Sequence, residues 1–233
     1  MISEALLQAF AMLRHFEGDV VEIAVLSLSV SLSAVCIASL LGVPLGAIAA
    51  IGRFPGKGAL AVGLNTFMGL PSVIVGVIVY LLLSRSGPFG PLGLLFTPTA
   101  MVVAQTCLTL PLIAALTRQI IEDAWGEHGE TLRSLRLPLA SRGATLIWHC
   151  RFSLVAVLLA GLGRAISEVG AVMIVGGNID RVTRTMTTAI ALETSKGDLP
   201  LALALGIVLV SIVLALNVVA SVTRGVAMRR FGN

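Results

Sequence analysis

Two charged residues interrupt one of the most apolar runs in the sequence. Arg164 and Glu168 lie within GRAISEVGAVMIVGGNI, which begins at Gly163. A full charge at the centre of a membrane helix costs about 2.5–3.5 kcal/mol on insertion scales. Residues four positions apart share one face of a helix, so the two side chains are predicted to neutralise each other. We interpret them either as a structural ion pair or as a pair that lines a conduction path.

Threonine and arginine are concentrated in the next segment, NIDRVTRTMTTAIALETSKGDLP, which covers residues 178–200. Hydroxyl and guanidinium groups are donors that suit an oxyanion. The alternative is a polar loop in which the threonines cap a helix. The candidates for a pathway or gate in this segment are Arg181, Thr183, Arg184, Thr185, Thr187 and Thr188.

The same segment has helical potential over RVTRTMTTAIALET. We expect a short helix that packs on the bundle through Met186, Ile190 and Leu192 and serves as an outer gate. Gly176 and Gly177 precede it, and glycine permits a sharp exit from the preceding helix.

The longest polar stretch is TRQIIEDAWGEHGETLRSLRLPLASRGATLIWHCR, residues 117–151. Leu132, Leu135 and Leu139 recur at helical spacing, with Arg133 and Arg136 beside them. This loop is either a solvated connector or, because a helix with an apolar stripe can lie in a partner's groove, a docking surface for a cytoplasmic partner.

Catalytic and metal-binding patterns are absent from the sequence. GRFPGKG at Gly52 has the wrong spacing for a phosphate loop, and Gly58 stands where a Ser or Thr would hold magnesium. The three cysteines, at 36, 107 and 150, are too widely spaced for a disulfide framework or a zinc site, and are predicted to be small buried apolar residues. No nucleophile–His–acid constellation is evident. The sequence therefore offers no motif for catalysis, for ATP binding through a phosphate loop or for a metal site.

The elements that must position these residues are membrane helices. The 233 residues are 57% hydrophobic and 12% charged, against about 25% charged in soluble domains. The mean hydropathy is +1.00, which indicates an integral membrane protein. Five spans are predicted, at about 20–51, 59–83, 97–116, 154–177 and 201–222, with a kink at Pro71. Residues 1–19 are predicted to form an amphipathic surface helix.

Orientation follows from the positive residues that flank these spans. Ten Lys or Arg residues fall on one side and five on the other. Positive residues are enriched on the cytoplasmic side, so the N-terminus is predicted to lie outside and the tail, residues 224–233, in the cytoplasm.

The chain also carries a resemblance to a known family. GRAISEVGAVMIVGGNI followed by TRTMTTAIALETSKGD resembles the permease subunits of tungstate-type ABC importers, which are close relatives of the molybdate and sulfate permeases. SLSVSLSAVCIASLLGVPLGAIAA and NTFMGLPSVIVGVIVYLLLSRSGPFGPLG resemble the first two spans of that family. The likeness covers about Val20 to Val222, or nearly the whole chain.

The resemblance implies an all-α, five-span type I ABC importer transmembrane domain over residues 20–223. It implies a homodimer on two ATP-binding cassette subunits, fed by an extracytoplasmic substrate-binding protein, in a bacterial or archaeal plasma membrane. ATP and magnesium would lie on the ATPase, and this chain would bind no cofactor. Tungstate, molybdate and sulfate stay open as substrates. A stand-alone secondary anion transporter, with Arg164 and Glu168 as a proton relay, is the alternative from another class.

Related permeases carry a Glu-Ala-Ala…Gly signature in the loop that docks on the ATPase. Here the nearest match is Glu130, Thr131 and Leu132, with Arg136 where the glycine would fall. The coupling residues that the resemblance implies are therefore Glu130, Thr131, Leu132, Leu135 and Arg136, within the loop 117–151.

Overall fold

The computed structural model describes residues 18–231, with side chains described over 20–219 and at 221, 222 and 225. The described chain is helical and contains no strand. The predicted surface helix at 1–19 falls almost entirely on residues 1–17 and so lies outside the described residues. The helices are α1 Gly18–Ile51, α2 Lys57–Met68, α3 Ser72–Leu83, α4 Pro98–Ser134, α5 Leu139–His149, α6 Arg151–Ile166, α7 Gly170–Gly176, α8 Met186–Lys196 and α9 Leu199–Phe231.

Three helical stretches are long and apolar enough to cross a membrane: Val20–Ile51, Pro98–Ser134 and Leu199–Val219. Two bent pairs could each form a further span, α2 with α3 at 100° and α5 with α6 at 77°. The described chain thus has three to five candidate spans. The predicted kink at Pro71 is a full break, because Pro71 caps α3 and cannot continue the amide ladder of α2.

Two helices differ in extent from the predicted spans. The span predicted at 97–116 continues as one helix to Ser134, so half of the predicted loop 117–151 is an extension of α4. The span predicted at 154–177 is not one helix, because α6 ends at Ile166 and α7 begins at Gly170. The predicted tail from residue 224 continues α9 as far as Phe231.

The chain divides into two compact units. Unit 1 contains the described residues up to Ala34, together with Pro71–Gln105 and Gly163–Ala215. Unit 2 contains Val35–Leu70, Thr106–Leu162 and the described residues from Leu216 onward. The Thr-rich segment 178–200 belongs to unit 1, whereas the segment 117–151 belongs to unit 2.

Small residues set the packing within unit 1, as expected where membrane helices approach closely. A Cβ on Gly76 of α3 would lie 2.8 Å from the Cα of Ala171 in α7. A Cβ on Gly170 would lie 2.8 Å from Cγ2 of Val73. Larger side chains at either glycine would push α3 and α7 apart.

A glycine also allows close packing in unit 2, between α1 and α4. A Cβ on Gly46 would lie 2.5 Å from the carbonyl oxygen of Ala114. Toward the end of α1, an apolar cluster joins α1, α4 and α5 through Ala47, Ala50, Ile51, Ile121, Ala124, Leu132 and Leu146. Cys36 and Cys107 are exposed, so the expectation that these cysteines are buried is wrong.

Candidate functional site

A break in the helical chain carries the buried acid of the apolar run. α6 ends at Ile166, and Ser167, Glu168 and Val169 separate it from α7. Glu168 is only 7% exposed. Its Oε1 accepts a hydrogen bond of 3.1 Å from the backbone N–H of Ala171 in the first turn of α7. A carboxylate is favoured at this end of a helix, where N–H groups lack backbone partners.

The predicted pairing of Arg164 with Glu168 is wrong. The prediction assumed one continuous helix, but the helix of Arg164 ends at Ile166 and Glu168 lies within the break, so the two residues do not share a face. Arg164 is exposed and Glu168 is buried. Both side chains are described, and no ion pair joins them. The carboxylate is stabilised instead by the N–H of Ala171.

Two side chains from other helices hold the break in place. Gln105 of α4 donates from Nε2 to the carbonyl oxygen of Ala165, at 3.0 Å. Thr187 of α8 donates from Oγ1 to the carbonyl oxygen of Glu168, at 2.7 Å. Both side chains are buried. The carbonyl oxygen of Ala165 also accepts a 3.2 Å bond from the N–H of Glu168, so Gln105 is its second donor. The break is therefore part of the tertiary structure of unit 1.

The exit from α7 is as sharp as predicted. α7 ends at Gly176, and Gly177 adopts φ 71°, in the left-handed region that favours glycine. A Cβ at Gly177 would lie 2.8 Å from Cδ1 of Phe96, so a side chain would also clash there. The helix predicted in the next segment is present as α8. Met186 is fully buried, and Ile190 and Leu192 are partly buried, as the prediction of a packed helix required.

The four threonines are buried and bonded within unit 1. Thr183 accepts from the N–H of Ile179 at 2.9 Å and donates to the carbonyl oxygen of Gly176 at 2.6 Å. Thr185 and Thr188 form a capping box at the start of α8. Thr187 bonds to Glu168, as described above. These contacts match the capping alternative, because each hydroxyl already has a protein partner.

Arg184 is held by its own segment. Its Nη1 lies 2.8 Å from Oδ1 of Asp180, and its side chain is mostly buried. Arg181 is exposed and adopts φ 56°. Both arginines line a cavity of about 580 Å³ between the start of α1 and α8. Three carboxylates, those of Glu22, Asp180 and Glu193, line the same cavity, so its formal charge is not positive.

The second candidate region is the segment 117–151, which forms the end of α4, a turn and α5. α4 ends at Ser134, and Arg136 follows with φ 52°. That is the left-handed conformation that usually takes glycine after a helix. In the match that the resemblance implies, Arg136 stands where the signature glycine would fall. Arg136 therefore adopts a backbone conformation that a glycine would adopt at lower cost.

The predicted leucine stripe is divided between core and surface. Leu132 is 7% exposed and packs in the apolar cluster of α1, α4 and α5. Leu135 is 61% exposed, and Leu139 at the start of α5 is 47% exposed. Glu130, Thr131 and Arg136 are exposed. Leu132 is therefore unsuited to contact a partner, while Leu135 and Leu139 remain available.

Three residues of these regions were not predicted. Gln105 stands alone as an amide in an apolar run, which is a signal that it bonds within the bundle. Ser27 accepts the N–H of Met186 at 2.8 Å and so caps α8 from α1. Trp148 is 71% exposed on α5. The amphipathic pattern of that helix is the sequence feature that could have drawn attention to it. Within the described residues, no group of three or more His, Cys, Asp or Glu side chains could hold a metal ion.

Comparison with known proteins gives three strong similarities. A probable anion ABC transporter permease protein of Haloferax volcanii is 41% identical over 84% of this chain and 87% of its own length. A tungstate uptake system permease protein TupB of Peptoclostridium acidaminophilum is 42% identical over 94% and 96%. The TupB of Campylobacter jejuni is 43% identical over 66% and 64%. No protein-family model matches the chain.

The apolar helices and the broken spans define a multi-pass membrane protein. With identities above 40% across most of two relatives, the chain belongs to the family of ABC transporter permease proteins.

Proposed function

We propose that this chain is the membrane-spanning permease subunit of an ATP-driven importer of an oxyanion, and that the oxyanion is tungstate. The similarity to a tungstate uptake permease over nearly the whole length of both chains carries the proposal. The chain would supply the translocation path and its gate. It would not itself catalyse a reaction, because ATP and magnesium would bind to a partner ATPase.

The proposed assembly is a homodimer of five-span, type I transmembrane domains on two ATP-binding cassette subunits. An extracytoplasmic binding protein would deliver the substrate. The count of five requires each bent helix pair to form one span. The distribution of Lys and Arg supports an N-terminus outside and a C-terminus in the cytoplasm of a bacterial or archaeal plasma membrane.

The coupling surface is proposed on the exposed part of the segment 117–151. Glu130 and Thr131 lie on the last turns of α4, and Leu135 and Arg136 form the turn that follows. Leu139 adds an exposed apolar side chain at the start of α5. Exposed leucines beside a positive side chain support docking of a protein, since a solvated connector has no need to expose apolar groups.

The path and gate are proposed to use the break at Glu168 and the helix α8. The threonines position this region through internal hydrogen bonds. Arg164 and Arg181, whose side chains reach the surface of unit 1, are the proposed contacts for the oxyanion. In this proposal the exposed arginines bind the substrate, and the buried threonine hydroxyls stabilise the fold.

The proposal is tested by uptake of radiolabelled tungstate into cells that lack the chromosomal copy of this chain. Cells that regain the chain, its ATPase and its binding protein should take up tungstate, and unlabelled tungstate should compete better than molybdate or sulfate. Better competition by molybdate or sulfate would identify one of those as the substrate instead.

A matched control separates the two classes of transporter. The same cells should carry the ATPase with its catalytic glutamate replaced by glutamine. Uptake should fall to the level of cells without the chain. Continued uptake in that control would show a stand-alone secondary transporter, and the ABC proposal would be wrong.

A further inference from the structure

We propose that unit 2 binds one anionic phospholipid, with an acyl chain in the groove between α1 and α5 and the phosphate against three arginines at its end. The inference requires only that the chain lies in a membrane. It does not depend on which substrate is carried.

The groove is apolar along its whole length. It has a volume of about 520 Å³ and lies between the last turns of α1 and the face of α5. Its lining contains no charged residue, and includes Pro44, Ala47 and Ile48 from α1 and Leu139, Gly143 and Ile147 from α5. An acyl chain suits such a surface because it buries apolar area and needs no hydrogen bond.

A second pocket of about 360 Å³ continues from the groove. The two linings share Ile51 and Leu139, so the pockets adjoin at these residues. Three arginines line the second pocket, Arg53, Arg133 and Arg142, together with Trp125. No carboxylate belongs to its lining, in contrast to the cavity of unit 1. This pocket therefore attracts an anion.

The arginines keep donors available for a phosphate. The guanidinium of Arg133 lies 5.0 Å from the centre of the Trp125 ring, a contact that orients it without using its N–H groups. Nε of Arg142 is buried and has no hydrogen-bond partner among the described residues. A phosphate in the pocket would be bound by the terminal N–H groups of the guanidinium, because the buried Nε is closed to it.

The direction of the helices also fits a lipid. α1 is a candidate span, and the groove follows its last turns from Pro44 to Ile51. α5 is bent by 77° from α6, so if α6 runs across the bilayer, α5 lies along its surface. Apolar side chains then face the hydrocarbon while the arginines reach the headgroups. Basic pockets at this depth bind the headgroups of anionic lipids.

The surface is also separate from most of the proposed coupling residues. Leu139 is shared, but Glu130, Thr131, Leu135 and Arg136 do not line either pocket. An ATPase subunit and a lipid are thus predicted to bind at the same time. An apolar groove that ends in three cations matches a phospholipid, which combines an apolar acyl chain with an anionic headgroup.

The test is native mass spectrometry of the purified full-length chain, titrated with phosphatidylglycerol or phosphatidylcholine. The wild type should retain phosphatidylglycerol in preference to phosphatidylcholine. Arg53→Ala and Arg142→Ala should each weaken retention about fivefold, and Ala144→Phe should weaken it by filling the groove. Arg136→Ala is the matched control, an exposed arginine of the same region outside both pockets, and should retain lipid as the wild type does.

Equal retention of the two lipids, or equal loss in Arg136→Ala, would overturn the proposal. So would displacement of the lipid by added ATPase subunit, because the surface would then belong to that interface.

A second measurement needs no substitution in either pocket. In Trp148→Phe protein, brominated phosphatidylglycerol should quench Trp125 fluorescence more than brominated phosphatidylcholine at the same mole fraction. Equal quenching would also contradict the proposal.

Discussion

The Thr-rich segment 178–200 and the Leu- and Arg-rich segment 117–151 use their side chains in opposite ways. In the first, the hydroxyls of Thr183, Thr185, Thr187 and Thr188 are buried and bonded to their own unit. In the second, Leu135, Leu139 and Trp148 are exposed although they are apolar. Polar groups that are already satisfied hold a structure together, whereas exposed apolar groups suggest a partner. Residue type alone left both roles open, with the threonines as oxyanion donors or helix caps and the segment 117–151 as a connector or a docking surface.

The largest effects are expected from the leucines of the segment 117–151. Leu132→Asp should prevent stable folding, because it buries a charge and loses at least the ~2–5 kcal/mol of a buried leucine truncation. Leu135→Asp combined with Leu139→Asp should leave thermal stability in detergent unchanged and abolish copurification with the ATPase subunit. Stable Leu132→Asp protein, or intact copurification of the double variant, would remove the distinction between core and docking surface.

Thr187 tests the claim that the Thr-rich segment is structural. Thr187→Val keeps the shape of the side chain but leaves the carbonyl group of Glu168 without its 2.7 Å bond. The loss should be about 1–3 kcal/mol, measured by thermal unfolding in detergent. Thr194→Val, an exposed threonine on the same helix, is the matched control and should have no effect. If both variants are as stable as the wild type, the hydrogen bond of Thr187 does not stabilise this region.

Glu168 and Arg164 test the helix break itself. Glu168→Ala should lose the bond to the N–H of Ala171 and cost about 0.5–2 kcal/mol, as other helix caps do. Arg164→Ala should change stability little, because its side chain is exposed. In the double variant the two effects should simply add. A single Arg164→Ala that is less stable than the double variant would restore the ion pair predicted from the sequence.

Several features of the two segments could be predicted from sequence because they have local causes. The helix α8, its buried Met186 and the turn at Gly177 follow from periodicity and from the backbone freedom of glycine. The break at Ser167–Val169 was harder to predict, since no Pro occurs there. The Ser167 hydroxyl bonds to the carbonyl oxygens of Gly163 and Arg164, but this local contribution does not by itself identify the break. The break is stabilised by Gln105 and Thr187, which are distant in sequence. Periodicity also cannot show that Leu132 is covered and Leu135 is not, because that depends on where α1 and α5 lie.

Substitutions of Arg184 test whether this arginine is structural or binds the substrate. Its bond to Asp180 spans one turn and is partly exposed, so reversal of its charge should cost only about 1 kcal/mol. In a background that transports without the binding protein, Arg184→Glu should lower uptake. The swapped variant Asp180→Arg with Arg184→Glu should restore it, because the ion pair is re-formed with opposite polarity. A folded swapped variant without uptake would show that Arg184 itself faces the oxyanion.

The smallest effect is expected at Arg136, which could serve either the turn after α4 or contact with the ATPase subunit. Arg136 adopts φ 52°, a conformation that costs a residue with a Cβ roughly 1–2 kcal/mol and glycine almost nothing. Glycine also loses more chain entropy on folding, so the net gain from Arg136→Gly should be below about 1 kcal/mol. Arg136→Val should destabilise, since a β-branched residue is least tolerated there. Thermal unfolding in detergent orders the three proteins as Gly, Arg, Val. If Arg136→Gly is also copurified normally with the ATPase, the position serves the turn. If Arg136→Gly is stable but fails to copurify, the guanidinium of Arg136 contacts the ATPase subunit directly.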